Sequence, residues 1–204
     1  MSEQRPRSPR MPRAQRRAQL LAVALEAFSL HGYHKASMDD IAEAAGVSKP
    51  VLYQHFPGKR ELYLALVDDN LEGLAARLIE ALRSSPVNRT RVESMLSVYF
   101  DFVADQPQAY RLIFESDLLA DPEIRTRFEN FHVGVAEAIG SVLGPNAGLS
   151  QGHAVMLSRS LTAMAEAGAS YWAHHAEVGD RAEAERQVFR LAWGGISIID
   201  EDWT

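Results

Sequence analysis

Residues 46–62 read Gly46-Val47-Ser48-Lys49-Pro50-Val51-Leu52-Tyr53-Gln54-His55-Phe56-Pro57-Gly58-Lys59-Arg60-Glu61-Leu62, a short helix bracketed by a start and a stop signal. Ser48 is a residue type that caps helix N-termini, and Lys49-Pro50 fall in the first turn, where proline's missing amide costs nothing. Val51 to Phe56 fill the helix and Pro57-Gly58 end it. Upstream, Ser37 stands three residues before Asp40, a capping-box variant in which the hydroxyl satisfies a first-turn amide while the carboxylate reaches back. It opens another short helix, with Ile41, Ala44 and Ala45 as its inner face, and Gly46 supplies a left-handed turn. Two short helices joined through a glycine turn outline a helix-turn-helix, whose second helix enters the major groove of DNA.

Such a pair is too short to make a core alone. It must rest on a preceding helix and on the start of the next, through Phe28, Ile41, Val47, Leu52, Phe56 and Leu62. That leaves Lys49, Pro50, Val51, Tyr53 and Gln54 on the outer side. The preceding helix is expected from about Arg13 to Gly32, with Leu20, Ala24, Ala27 and Phe28 on one face. The next runs from Lys59 to about Arg83, with Leu62, Leu66, Leu74 and Leu78 among its apolar positions. Breaks at Ser84-Ser85-Pro86, Gln106-Pro107, Asp121-Pro122, Gly144-Pro145-Asn146 and Gly179-Asp180 predict further helices near 88–105, 107–116, 122–143, 149–177 and 181–200. No strand alternation and no hairpin turn interrupts them. The expectation is an all-α chain of about nine helices: a basic arm at 1–12, a helix-turn-helix domain at 13–58 and a second helical domain at 59–204.

Composition narrows the chemistry. The chain has 204 residues, 47% hydrophobic and 24% charged, and no cysteine. A disulfide scaffold, a thiol nucleophile, an iron–sulfur cluster and cysteine-bearing zinc sites are therefore excluded, and a reducing cytoplasm is the expected location. Arg16-Arg17 before Leu20–Leu25 superficially resembles an export signal, but Glu26 cuts the apolar run short. No stretch is long and apolar enough to span a membrane. His174 and His175 are adjacent and point to different sides of a helix, so no metal site is expected. The glycines at 144, 148 and 152 lack a phosphate loop's lysine, and no nucleophile-elbow sequence occurs, so neither a cofactor nor an enzyme is expected. The net charge of −6 divides into +5 over residues 1–60 and −11 over the remaining 144. A basic module that meets a polyanion is joined to an acidic body.

The stretch from about Arg13 to Leu66, and residues 46–62 above all, strongly resembles the amino-terminal domain of the TetR family of bacterial transcriptional regulators. The resemblance implies that Ser37 contacts phosphate, that Ser48 and Lys49 meet phosphates or base edges, and that Pro50 and Val51 touch the groove floor. It implies phosphate contacts for Tyr53, His55 and Lys59, with Gln54 on the same outer face. Two positions depart from the family. Val51 stands where threonine is frequent, thinning hydrogen-bond readout, and Gly58 stands where serine or asparagine commonly caps the next helix. The arginine arm either tracks the DNA or is a solubilising tail.

The second domain suits pairing and ligand binding. Ala163, Ala165, Ala167, Gly168 and Ala169 give one late helix a small-residue surface. Val188, Leu191, Ala192, Gly195, Ile196 and Ile199 give the last an apolar face. These faces either join two subunits, as the resemblance implies, or bury within one. Large side chains on the middle helices either pack a core or, by the same resemblance, surround an effector cavity. Met95, Tyr99, Phe128, His132, Met164 and Trp172 are its candidate lining, facing an apolar or aromatic small molecule. The expected function is a ligand-responsive regulator: a homodimer paired through its last two helices on double-stranded palindromic operator DNA, a repressor released by its effector. The alternatives are an activator of the same fold and a helical small-molecule-binding protein without a transcriptional role.

Overall fold

The computed structural model describes residues 11–116 and 118–196. Nine α-helices occur among them: α1 (Arg13–Lys35), α2 (Met38–Ala44), α3 (Lys49–His55), α4 (Lys59–Arg83), α5 (Asn88–Asp105), α6 (Pro107–Phe114), α7 (Pro122–Asn146), α8 (Gln151–His174) and α9 (Arg181–Ile196), with a 3₁₀ turn at Ala176–Val178. There is no strand among the described residues, and none of their helices is long and apolar enough to cross a membrane. The basic arm, apart from Met11 and Pro12, lies outside the described residues, as does Ile199. The chain divides into two compact units, residues 1–66 and 67–204. The boundary expected at 58/59 is thereby moved into α4, whose first eight residues go with the helix-turn-helix.

In the first unit α1 buries Leu20, Leu21, Ala24 and Phe28. Gly32 takes φ 73°, the left-handed backbone anticipated for a helix end, but one more helical turn follows to Lys35. Phe28, Tyr33 and Tyr63 cluster there with ring centroids 5.2 to 5.8 Å apart, worth about 0.5–1.5 kcal/mol per pair beyond area burial. The Ser37 hydroxyl accepts the Asp40 amide at 3.1 Å and caps α2. The inner face of α2 is Met38, Ile41, Ala42 and Ala45, whereas Ala44 is exposed, contrary to expectation. These four follow the i, i+3, i+4, i+7 spacing of one helical stripe, and Ala44 falls off it. Gly46 turns the chain at φ 64°, its amide on the Glu43 carbonyl at 2.9 Å.

In the second unit α8 packs on α5, α7 and α9. The α7–α8 contact is close: a Cβ on Gly144 would lie 2.8 Å from the Ala154 Cβ, and one on Gly140 3.2 Å from the Ala154 carbonyl carbon. The break expected at Gly144-Pro145-Asn146 falls at its last residue, since α7, expected to end near 143, continues through Pro145 to Asn146. Proline there removes one hydrogen bond only, in the last turn, and the helix is ended by Gly148 at φ 59°, with the Leu149 amide on the Gly144 carbonyl at 3.1 Å. The last two helices split their small and apolar residues between inside and outside. Ala165, Ala169, Ala192 and Ile196 are buried, while Ala163, Ala167, Leu191 and Gly195 are exposed.

Candidate nucleic-acid interface and regulatory cavity

Helix α3 is fastened by one side chain, Leu52, which is fully buried. A seven-residue helix anchored on a single face must present the rest outward. Ser48, Lys49, Pro50, Tyr53 and Gln54 are exposed, and Val51 and His55 are half-buried. Ser48 takes the extended backbone of an N-cap without a side-chain cap bond, which leaves its hydroxyl for another partner. The Lys49 ammonium donates to the Asp39 carboxylate at 2.6 Å, and this partner holds the lysine's pKa above its ordinary value. Both side chains are more than half exposed, so a phosphate can take Asp39's place at small cost.

Arg13 and Arg16 of α1 line one cleft of about 610 Å³ with Met11, Val51, Gln54 and His55. These arginines were not singled out as DNA contacts, although Arg13-x-x-Arg16-Arg17 places three cations on one and a half turns of helix. Arg16 is held in place: its guanidinium donates to the Gln19 side-chain oxygen at 2.6 Å, and Gln19 donates to the Ala45 carbonyl at 3.2 Å. The Arg17 guanidinium lies over the Phe56 ring, 4.6 Å from its centroid. Partial burial, followed by the charges of Arg13, Arg17 and Arg16, lowers the pKa of His55. At neutral pH His55 therefore offers a phosphate an N–H and no charge.

Lys59 departs from its expected role. Its ammonium donates to the carbonyls of Tyr33, His34 and Ala36 at 2.8, 3.2 and 3.0 Å, and sits 4.5 Å from the Tyr33 ring centroid. An ammonium has three N–H bonds, and all three are engaged at the frayed end of α1. Lys59 is a clamp on that end, not a group held free for phosphate.

Of the six expected effector contacts, two line one cavity. Met95 and Tyr99 line a cavity of about 30 Å³ between α5, α7, α8 and α9, walled by Val92, Leu96, Ile139, Leu143, Leu161, Thr162, Ala165 and Ala192. Phe128, His132, Met164 and Trp172 do not line it. Phe128 stands between Phe114 and His132, with centroids 6.0 and 6.5 Å away. Trp172 lines an outer cleft of about 760 Å³ and donates its indole N–H to the Gly179 carbonyl at 3.2 Å. Met164 is half-buried on α8. His132 comes within 4.0 Å of Glu166, and burial, with the charge of Arg159, pushes its pKa down to about 4. Among the described residues no group of three or more histidine or acidic side chains is arranged to hold a metal ion.

Residues 20–66 match the family model described as bacterial regulatory proteins, tetR family. Over 193 residues the chain is 38% identical to the HTH-type transcriptional activator FasR of Mycolicibacterium smegmatis, covering 95% of this chain and 88% of that protein. The HTH-type transcriptional regulator RutR of Escherichia coli is 36% identical over 101 residues, which is 50% of this chain and 47% of RutR. The crystal structure of the transcriptional regulator FadR from Bacillus subtilis in complex with stearoyl-CoA shares the fold, with a TM-score of 0.72 at 18% identity over 87% of this chain and 98% of that one.

Proposed function

The chain belongs to the TetR family and is a transcriptional regulator, and from that premise we propose that it works as a homodimer on palindromic operator DNA under the control of an apolar, chain-like effector such as an acyl thioester. The observation that carries the DNA-binding part is the outward polar face of α3 beside Arg13 and Arg16. Lys49, Tyr53 and Gln54 reach the duplex from that face, Ser37 and Ser48 meet phosphates, Pro50 and Val51 touch the groove floor, and His55 donates to the backbone. Replacing Lys49 and Tyr53 together by alanine should weaken specific binding at least about tenfold, since each direct contact contributes roughly 1 kcal/mol or more. Gel shifts on the protein's own promoter, with circular dichroism as the folding control, measure this. Unchanged affinity in the double variant refutes the recognition helix.

Pairing through α8 and α9 rests on large apolar side chains that stand in water in one subunit: Met156 and Tyr171 on α8 and Leu191 on α9, at 55%, 56% and 68% exposure. With Ala163 and Ala167 they make a surface that a second copy can cover, and two-fold symmetry then matches a palindrome. The effector class rests on the apolar walls of the cavity around Met95 and on the stearoyl-CoA held by a protein of the same fold. A space of about 30 Å³ admits little more than one water, so a chain-like ligand enters only as the helices part. Helix α4 contributes residues to both units, which gives such a movement a covalent route to the DNA-binding end. The sequence placed repression first; the 38% identity to a protein named as an activator turns our proposal to activation. Transcription from the target promoter with purified polymerase separates the two. The protein acts by binding alone, in the cytoplasm, with no cofactor and no chemical step.

A further inference from the structure

Helix α8 carries a polar seam on which Thr162 is buried and the other members are half-buried. Arg159, Thr162, Glu166 and Ser170 follow one another at i, i+3, i+7 and i+11, the spacing of one helix face. The two hydroxyls are satisfied: Thr162 donates to the Arg159 carbonyl at 3.0 Å, and Ser170 accepts from the Tyr110 hydroxyl at 2.6 Å. The two charged side chains of the seam each keep one atom that is not. Arg159 Nη1 and Glu166 Oε2 are buried without a hydrogen-bond partner; the Tyr99 hydroxyl on α5 makes no close hydrogen bond either, and lies beside Thr162 and within electrostatic reach of Glu166 and Arg159. Tyr99 is 98% buried and lines the cavity, where Thr162 is the other polar wall residue.

Unpartnered polar atoms in an apolar surrounding are costly. Their chemistry specifies what would satisfy them. Tyr99 and Arg159 offer N–H or O–H donors, and Glu166 offers an acceptor. The complement is a ligand group with an acceptor and a donor on adjacent atoms and no net charge. We propose that Tyr99, Arg159 and Glu166 form a buried anchor for a carboxamide-type group carried on an apolar chain, the C=O accepting from Tyr99 and Arg159 and the N–H donating to Glu166. A carboxylate fits less well, because it brings a second anion against Glu166 and has no hydrogen to give it. Burial raises the pKa of Glu166 against the pull of the Arg159 charge, and His132, held neutral by burial and 4.0 Å away, adds no positive charge beside it. An ester or a bare hydrocarbon leaves Glu166 unpaired.

This anchor rests on the reading of an apolar, chain-like effector but not on the acyl thioester given there as its example, which has no N–H for Glu166, and its test keeps the two apart. Calorimetry on the full-length protein uses three probes of equal chain length: octanamide, octanoate and methyl octanoate. Octanamide should bind at least about tenfold more tightly than either of the others. Tyr99→Phe keeps the ring's volume and should cost octanamide about tenfold. Glu166→Gln removes the anion and should bring octanoate to within about threefold of octanamide, a change of preference that a merely structural role would not produce. Each variant is checked by thermal melting, and if one fails to fold the other still decides. Equal affinity of the unaltered protein for octanamide and octanoate overturns the anchor. So does failure to bind octanamide up to its solubility limit, or an unchanged preference in Glu166→Gln. If stearoyl-CoA leaves the DNA complex undisturbed while the amide preference and its loss in Glu166→Gln are seen, the anchor stands and the acyl thioester falls. If stearoyl-CoA shifts the DNA complex while the probes are not discriminated, the anchor falls alone.

Discussion

Lys59 shows what a single residue can conceal. A lysine at the start of α4, beside a recognition helix, has the charge and position of a phosphate contact, yet its ammonium closes the end of α1 on three backbone carbonyls. Lys59→Met keeps most of the aliphatic stem and removes the donors. Charge-assisted hydrogen bonds contribute about 1.5–3 kcal/mol, so the first unit should lose stability of that order. The salt dependence of DNA binding, measured as the slope of log K against log salt concentration, should stay where it is. A slope made shallower by about 1 would restore Lys59 to the phosphate-contacting set. The sequence could not reveal this role, because its partners are main-chain oxygens 23 to 26 residues away whose exposure depends on the turn at Gly32. The outward positions of α3 were legible for the opposite reason. Over seven residues, one buried leucine and the helical period determine which side chains face water.

At the scale of helices, capping and turn chemistry located most boundaries, since Ser37, Gly46, Ser48 and Pro57-Gly58 act on their immediate neighbours. The end of α7 was misplaced because Gly144 and Pro145 resemble a stop. Gly144 is needed instead for what lies across from it, and α7 passes the backbone of α8 there too closely for a side chain. Two substitutions in this one helix separate propensity from packing. At Gly134, where an added Cβ meets nothing within 4 Å, alanine should stabilise by about 0.5–1 kcal/mol through helix propensity alone. At Gly144, where the Cβ would lie 2.8 Å from that of Ala154, the same change should destabilise by about 1–3 kcal/mol as the helices are pushed apart. Chemical denaturation of the two variants beside the parent measures both signs. Stabilisation at both sites would mean that α7 and α8 are not held at this separation. For a related reason Phe128, His132, Met164 and Trp172, expected on the cavity, stand off the one that Met95 and Tyr99 line. Residue type marks them as bulky and adaptable, but which helix face meets a cavity is decided by how four helices pack.

For the whole molecule the deciding quantity is where charge sits. The sequence total of −6 hides a +5 segment over residues 1–60 and a −11 remainder. Long-range steering by such a distribution favours approach with the basic end foremost, because the acidic body is repelled by the phosphates. Cations beside α3 are built into the fold itself. Arg13 and Arg16 share a cleft with Val51, Gln54 and His55, and Arg16 is braced through Gln19 onto the Ala45 carbonyl. A braced guanidinium loses less rotamer freedom on binding than one on a free chain, so Arg16 should neutralise a phosphate efficiently, with Arg13 in the same cleft. Replacing both by glutamine removes up to four phosphate contacts from a dimer. At about 0.9 per contact on B-form DNA, the salt slope should become shallower by roughly 3 to 4. Discrimination between operator and unrelated DNA at fixed salt should change little, because these contacts carry no base information. Loss of that discrimination with an unchanged slope would instead make the arginines readers of bases, and the recognition surface would then extend from α3 onto α1.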